Sequence, residues 1–359
     1  MAIRVVHIGT GNVGRLALAE LIENPAFDLV GLCVSTPEKV GRDAGELAGL
    51  TLTTGVTATD GLDDLIASTE PECAVYCAMG DTRMPQAMDD VRRILAAGVD
   101  VVGSAPGVLQ FPWQVIPDQF IKPIEDAARL GNSSVYVNGV DPGFITDLIP
   151  LAFASTCRRI EQVRCMEIAD YATYDGATVM FDVMGFGKPL DEVPILFQPG
   201  VLSIAWGSAL RQLAAGLNLS LDSITESYER EPAPEAFDIA AGHIPQGGVA
   251  AVRFEINGMV GGRPAIVVEH VTRLRGDLRP DWAQPAQPGG SYRVEITGEP
   301  SYAVDICPTS RLGDHNHAAI AGAAARIVNA IPAVVEAPPG IRTTLDLPLV
   351  SKVSLYTAG

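Results

Sequence analysis

The chain has 359 residues, of which 47% are hydrophobic and 19% charged. That is the composition of compact folded domains and not of disordered or fibrous chains, and the length suits two domains. The formal net charge of −18 excludes duplex nucleic acid and anionic membrane surfaces as partners, because phosphate binding needs a basic face.

The apolar run Ile3 to Ile8 feeds the glycine-rich turn GTGNVG, a helix-period stretch, and then a second apolar run from Leu29 to Val34. Strand, GxGxxG, helix and strand in that order make the dinucleotide-binding βαβ fingerprint. Gly9 permits the tight turn, Gly11 lets backbone approach a pyrophosphate, and Gly14 lets helix and strand pack closely. Thr10, Asn12 and Val13 complete this cofactor-binding turn. NAD-binding versions carry a carboxylate about 20 residues further on. Here that region holds Ser35, Thr36, Lys39 and Arg42, with no carboxylate before Glu38. Hydroxyls and positive charge suit a 2′-phosphate, so NADP(H) is expected, with NAD(H) as the alternative.

The α/β alternation continues with a helix near Leu62 to Ala67, a strand Ala74 to Cys77, a helix Met84 to Ala97 and a strand Val99 to Val102. A helix Pro117 to Leu130 and a strand Ser134 to Val137 follow. The expected fold class is α/β, a Rossmann-type doubly wound parallel sheet over 1–150, with a second α+β domain containing a largely antiparallel sheet over 151–312. The hairpin VAAVRFEING–GGRPAIVVEHVTRL turns at Gly261 and Gly262, short strands cover Val294 to Ile296 and Ala303 to Ile306, and Leu202 to Ala215 reads as one helix. Residues 313–359 form a helix from Asp314 to Val335 and a tail that docks back on the Rossmann domain. No apolar stretch reaches the ~20 residues of a membrane span and no leader pattern precedes Ile3, so a cytoplasmic protein is expected. The six cysteines are scattered among apolar neighbours without a paired zinc pattern, so reduced thiols and no metal are expected.

A doubly wound sheet binds its ligand beyond the carboxyl ends of its strands. Ala78, Met79 and Gly80 follow one strand, Ser104, Ala105 and Pro106 the next, and Gly139 to Pro142 the last; their small residues suit a nicotinamide lying flat against backbone. Hydride delivery also needs a proton donor of tuned pKa. Asp141, His270 and Tyr171 are the candidates, although Asp141 followed by Pro142 also reads as an N-cap and first helical residue. Glu167 and Asp170 lie on one strand-like segment, and alternation puts them on opposite faces. Aromatics such as Phe111, Trp113, Phe181, Trp206 and Trp282 are available to an apolar pocket.

GTGNVG, then STPEKVGRDAGEL, then GVDPGF, with APPGIRTTLDLP at the end, resembles the dihydrodipicolinate-reductase-like superfamily. More narrowly it resembles the branch of native amine dehydrogenases and 2,4-diaminopentanoate dehydrogenases. The resemblance implies an NADP(H)- or NAD(H)-dependent homodimer that interconverts amines with ketones or aldehydes plus ammonia. The paired histidines and DAPSGT-type segment of true dihydrodipicolinate reductases are missing. So is the glutamate that the amine dehydrogenases carry after the fifth strand, where this chain reads GSAPGVLQFPW. The expected function is an NADP(H)-dependent oxidoreductase acting on a small apolar ketone, aldehyde or imine, in the amine dehydrogenase manner. The alternatives are carbonyl reduction without ammonia and a non-catalytic NADP(H)-binding regulator.

Overall fold

The structure is a computed structural model that describes residues 2–80 and 82–353. It divides into two compact units, one running to Val140 and resuming at Ile320, the other spanning Asp141–Ala319.

The first unit holds strands β1 (Ile3–Ile8), β2 (Phe27–Cys33), β3 (Ala58–Thr59), β4 (Cys73–Tyr76), β5 (Asp100–Gly103) and β6 (Ser134–Val137). Helices α1 (Asn12–Glu23), α2 (Ala44–Ala48), α3 (Leu62–Thr69), α4 (Met84–Ala96) and α5 (Asp118–Gly131) connect them. All pairs are parallel, in the order β3-β2-β1-β4-β5-β6. That is the doubly wound order whose strand direction of growth reverses between β1 and β4. Alternation divides the strand residues between two cores. Val6, Ala74, Val101 and Val135 pack with Val91 and Ile94 of α4 and Ile124 of α5. Val5, Val75, Val102 and Tyr136 face Ala17 and Leu21 of α1 on the other side.

The second core also receives Ala324, Ile327, Val328, Ile331 and Val334 of a long helix, His315–Val335. This helix has 21 residues and is apolar enough to cross a membrane by length and composition. The sequence expectation that nothing in the chain reaches that length is therefore corrected; the apolar stripe from Ala324 to Val334 is core packing. After Pro338 and Pro339 the chain adds a strand, Gly340–Arg342, parallel to β6 at the sheet edge. The Ser134 hydroxyl donates to the Pro338 carbonyl at 2.8 Å, which fixes that return.

His7 interrupts the apolar strand β1 and is fully buried. Its Nε2 lies 2.7 Å from the Gly9 carbonyl and must donate to it, which braces the first glycine of the turn. Burial pulls its pKa down to about 4, against the carbonyls of Gly9 and Gly14, which raise it. The ring is therefore neutral in the folded state while its unfolded counterpart protonates near 6.5. Stability is complete above that value and is lost as pH falls toward 4, by about 3 kcal/mol from this group alone. Thermal melts of His7→Gln between those limits are expected to show a shallower acid slope than the wild type. An unchanged slope would show that His7 does not carry it.

The second unit holds α6 (Leu148–Ala154), β7 (Arg159–Asp170), α7 (Val201–Ala205), α8 (Gly207–Gly216), β8 (Ser223–Pro232), β9 (Phe237–Ile239), β10 (Gly242–Ile244), β11 (Val249–Val260), β12 (Arg263–Arg273), β13 (Gly290–Glu299) and β14 (Tyr302–Ile306). Helix α9 is the His315–Val335 helix, whose first residues belong here, and β15 is the Gly340–Arg342 strand. Six strands form one sheet in the order β14-β13-β7-β12-β11-β8, with β9 and β10 as a separate pair. Within it β7 and β12 are parallel and every other pair is antiparallel. The β11–β12 turn uses Gly261 and Gly262 at φ +57° and +76°, values that L side chains rarely adopt.

Two local expectations are corrected. The single helix expected over Leu202 to Ala215 is broken at Trp206 into α7 and α8. Asp141 does not cap a helix either, because Asp141 and Pro142 are extended and Gly143 has φ +144°, from which no helix propagates. Helix α6 starts at Leu148, where Asp147 accepts from the Leu148 N–H. The Asp141 side chain is thereby free for other work.

Candidate active site

In the first unit the glycine-rich turn fits a dinucleotide. A Cβ on Gly14 would lie 2.2 Å from the Gly9 carbonyl oxygen, and one on Gly9, at φ +90°, would lie 2.7 Å from the backbone of Cys77 and Ala78. A Cβ on Gly11 would meet nothing within 4 Å. Two of the glycines are thus demanded by close packing, and the third faces the open N-terminus of α1, where no side chain caps the helix. The loops after β4 and β5 meet beside the turn, since a Cβ on Gly80 would lie 3.1 Å from Ala105. Ser35 and Thr36 are exposed past the end of β2. Lys39 reaches back to the turn, donating to the Thr10 hydroxyl at 2.9 Å and the Thr10 carbonyl at 3.1 Å. Arg42, in contrast, is engaged by Glu46 at 2.9 Å.

In the second unit strand register builds a row of side chains across one face of the sheet. Tyr292 of β13 stands opposite Glu167 of β7, Glu167 opposite His270 of β12, His270 opposite Phe254 of β11, and Phe254 opposite Tyr228 of β8. Asp141 meets this row at its centre. His270 Nε2 lies 3.3 Å from Asp141 Oδ2, and Nδ1 lies 3.9 Å from Glu167 Oε1. The three side chains are 4%, 0% and 7% exposed in the order His270, Asp141, Glu167, so water does little to screen them. The Trp206 indole, set at the α7–α8 break, donates to Asp141 Oδ1 at 3.1 Å. The Tyr171 hydroxyl donates to Glu167 Oε1. Phe254 stacks on the His270 ring at 4.6 Å and Trp206 meets its edge at 4.7 Å.

Burial by itself pulls the His270 pKa down, yet Asp141 and then Glu167 and Glu269 lift it above the ordinary imidazole value. Glu167 is raised as well, first by burial and then by the charge of Asp141, while His270 and the Tyr171 and Tyr292 hydroxyls work against that rise. Tyr171 is pushed far above the ordinary phenol value by burial and by Glu167, so it remains a hydroxyl donor. The arrangement is an imidazole of raised pKa between two carboxyl groups, each nearest a different ring nitrogen. Asp141, Glu167 and His270 are also a combination that metal ions accept, with ligand atoms within 4.8 Å of one another. The closest contacts are divided between the two ring nitrogens, Asp141 at Nε2 and Glu167 at Nδ1.

The structure thus brings Asp141, His270 and Tyr171 into one cluster, Tyr171 through Glu167. Glu167 and Asp170 do fall on opposite faces of β7, as alternation required. Trp206 joins the cluster, whereas Trp282 lies under Arg279 beside a polar cavity on the other face of the sheet. Phe111 and Trp113 pair edge-on in the first unit. Tyr292 carried no sequence signal of its own; only the pairing of β13 with β7 places it.

Comparisons with known proteins identify the family and the fold. Residues 144–355 match the family model of the 2,4-diaminopentanoate dehydrogenase C-terminal domain. An amine dehydrogenase of Streptomyces virginiae is 38% identical over 97% of this chain and 96% of its own. The 2,4-diaminopentanoate dehydrogenase of Acetoanaerobium sticklandii is 24% identical over 97% of this chain and 94% of its own. The solved structure of an amine dehydrogenase from Mycobacterium smegmatis shares the fold, with a TM-score of 0.81 over 98% of both chains at 21% identity. The chain belongs to the amine dehydrogenase and 2,4-diaminopentanoate dehydrogenase branch of the dihydrodipicolinate-reductase-like family, and it is an NAD(P)-dependent oxidoreductase.

Proposed function

We propose that the chain is an NADP(H)-dependent amine dehydrogenase that reduces a small, largely apolar ketone, aldehyde or imine and forms an amine when ammonium is supplied. The observation that carries this reading is the buried pair of His270 and Asp141, an acid of raised pKa held by a carboxylate that the indole of Trp206 orients. The nicotinamide supplies the hydride. The chain's own residues manage charge: His270 gives a proton to the heteroatom that becomes basic as the carbon is reduced, Asp141 stabilises the imidazolium, and Tyr171 keeps Glu167 in place. Preference for the 2′-phosphate is supported by Lys39 at the turn and by the exposed Ser35 and Thr36, which precede the first carboxylate, Glu38.

The test follows NADPH absorbance against small ketones and aldehydes, with and without ammonium. Oxidation that requires ammonium is the expected result. Oxidation that ignores ammonium makes the enzyme a carbonyl reductase, and no oxidation at all makes it a binding protein. In the same assay Lys39→Ala is expected to raise the KM for NADPH roughly 10-fold and leave that for NADH unchanged, as befits one charge-assisted contact of about 1.5 kcal/mol. Equal effects on both cofactors would remove the phosphate role of Lys39.

A further inference from the structure

We propose that Asp141 and Glu167 form the seat for the substrate nitrogen in its protonated state, ammonium in the amine-forming direction and a primary ammonium in the reverse, with Glu167 taking the proton that ammonium gives up. This rests on the amine dehydrogenase reading above and adds a catalytic group to it.

The argument begins with charge. Two carboxyl groups and one imidazole are buried together, and with all three ionised the cluster would carry one negative charge in excess, a strain that shows in the raised pKa of Glu167. The other hydrogen-bond partners of the acids are neutral: an indole N–H on Asp141 Oδ1 and the Tyr171 and Tyr292 hydroxyls on Glu167. Asp141 Oδ2 and His270 Nε2, both buried and 3.3 Å apart, have no hydrogen bond of normal geometry. That charge is costly in a buried site, so either Glu167 holds a proton or a cation joins the cluster. A cation that fits is small and rich in N–H donors, because the acceptors are single carboxylate oxygens on different elements. Protonated nitrogen meets both demands, and the same excess of negative charge disfavours substrates that carry a carboxylate of their own.

The chemistry then balances. Ammonium transfers one proton to the Glu167 carboxylate and becomes ammonia with a free lone pair. That pair forms the C–N bond while the carbonyl π pair moves to oxygen, which takes the His270 proton; the new C–NH3+ group returns one proton to the ring. Protonated Glu167 donates to the hydroxyl as the C–O bond breaks, water leaves, and the nitrogen lone pair closes the iminium. The iminium carbon is the hydride acceptor, and its positive charge again faces Asp141 and Glu167.

Glu167→Gln keeps the shape of the side chain and its bond to Tyr171 while removing the charge. With cyclohexanone and NADPH saturating, it is expected to raise the KM for ammonium roughly 30-fold or more, the usual effect of deleting one partner of a buried charge pair. Glu167→Asp should recover part of that loss. Binding is read separately by the thermal shift of the protein with NADP+ in the presence of cyclohexylammonium or the isosteric cyclohexanol. The wild type is expected to be stabilised by the cation and not by the alcohol, and Glu167→Gln by neither. An unchanged ammonium KM in a folded Glu167→Gln enzyme, equal shifts with cation and alcohol in the wild type, or a tightly held divalent metal in the purified protein would each overturn the proposal. If the wild type shows no ammonium-dependent turnover, the amine dehydrogenase reading fails, and the cation–alcohol comparison still decides the seat.

Discussion

Replacing His270 with Gln is expected to lower turnover by a factor of roughly 10³ while leaving NADPH affinity unchanged. The loss follows from the ring's position. Among the described residues it alone bridges Asp141 and Glu167, and the phenols of Tyr171 and Tyr292 are held well above their ordinary range, which makes them poor acids. NADPH affinity should not move, because the glycine-rich turn and Lys39 belong to the other unit. Stability should respond in a pH-dependent way. His270 holds its proton more tightly folded than unfolded, so its ion pairs stabilise the fold fully below the ordinary imidazole value and cease to do so as pH rises through the raised one. The variant should therefore lose most thermal stability relative to wild type at mildly acidic pH. Equal turnover, or a loss confined to the KM for NADPH, would remove His270 from the proton-transfer role.

The sequence carried the longer strands and helices of the first unit but not the short α2, β3 and β15, and the reason is local. A buried parallel strand is an apolar run, GTGNVG has one good conformation, and helix period follows directly, so β1, α1 and β2 are legible from adjacent residues alone. The cluster in the second unit is not local. Asp141, Glu167, His270 and Tyr292 come from four distant stretches, and each alone is an ordinary residue. What unites them is the register of β13, β7 and β12, which alternation constrains to a face but not to a row. The one misleading local signal was Asp141–Pro142. An N-cap pair is a statement about short-range propensity, and Gly143 at φ +144° overrides it by ending any helix there. That failure coincides with the residue placed against His270, where local rules yield to a site. Strand β15 was missed for a related reason: Gly340–Arg342 is too short to show a period and is a strand only because β6 offers an unpaired edge.

Asp141→Asn separates charge from position. The carboxamide would still accept the Trp206 indole N–H on its remaining oxygen, so the side chain keeps its place. What disappears is the strongest influence raising the His270 pKa, leaving burial, which lowers it, opposed only by Glu167 and Glu269. The ring should then lose its proton at lower pH and settle as the neutral tautomer with Nδ1–H toward Glu167 and a bare Nε2 toward the carboxamide. An acid is needed on the Asp141 side for amine formation, so the alkaline limb of the pH–rate profile should move to lower pH. Turnover at pH 8 is expected to fall by roughly 10³, and by less as pH is lowered and more of the ring regains its proton. Trp206→Phe provides the complementary case: it keeps the charge and frees the carboxylate, so it should lower turnover at every pH without moving the limb. A limb that stays in place in Asp141→Asn would mean that the His270 proton is set from the Glu167 side alone.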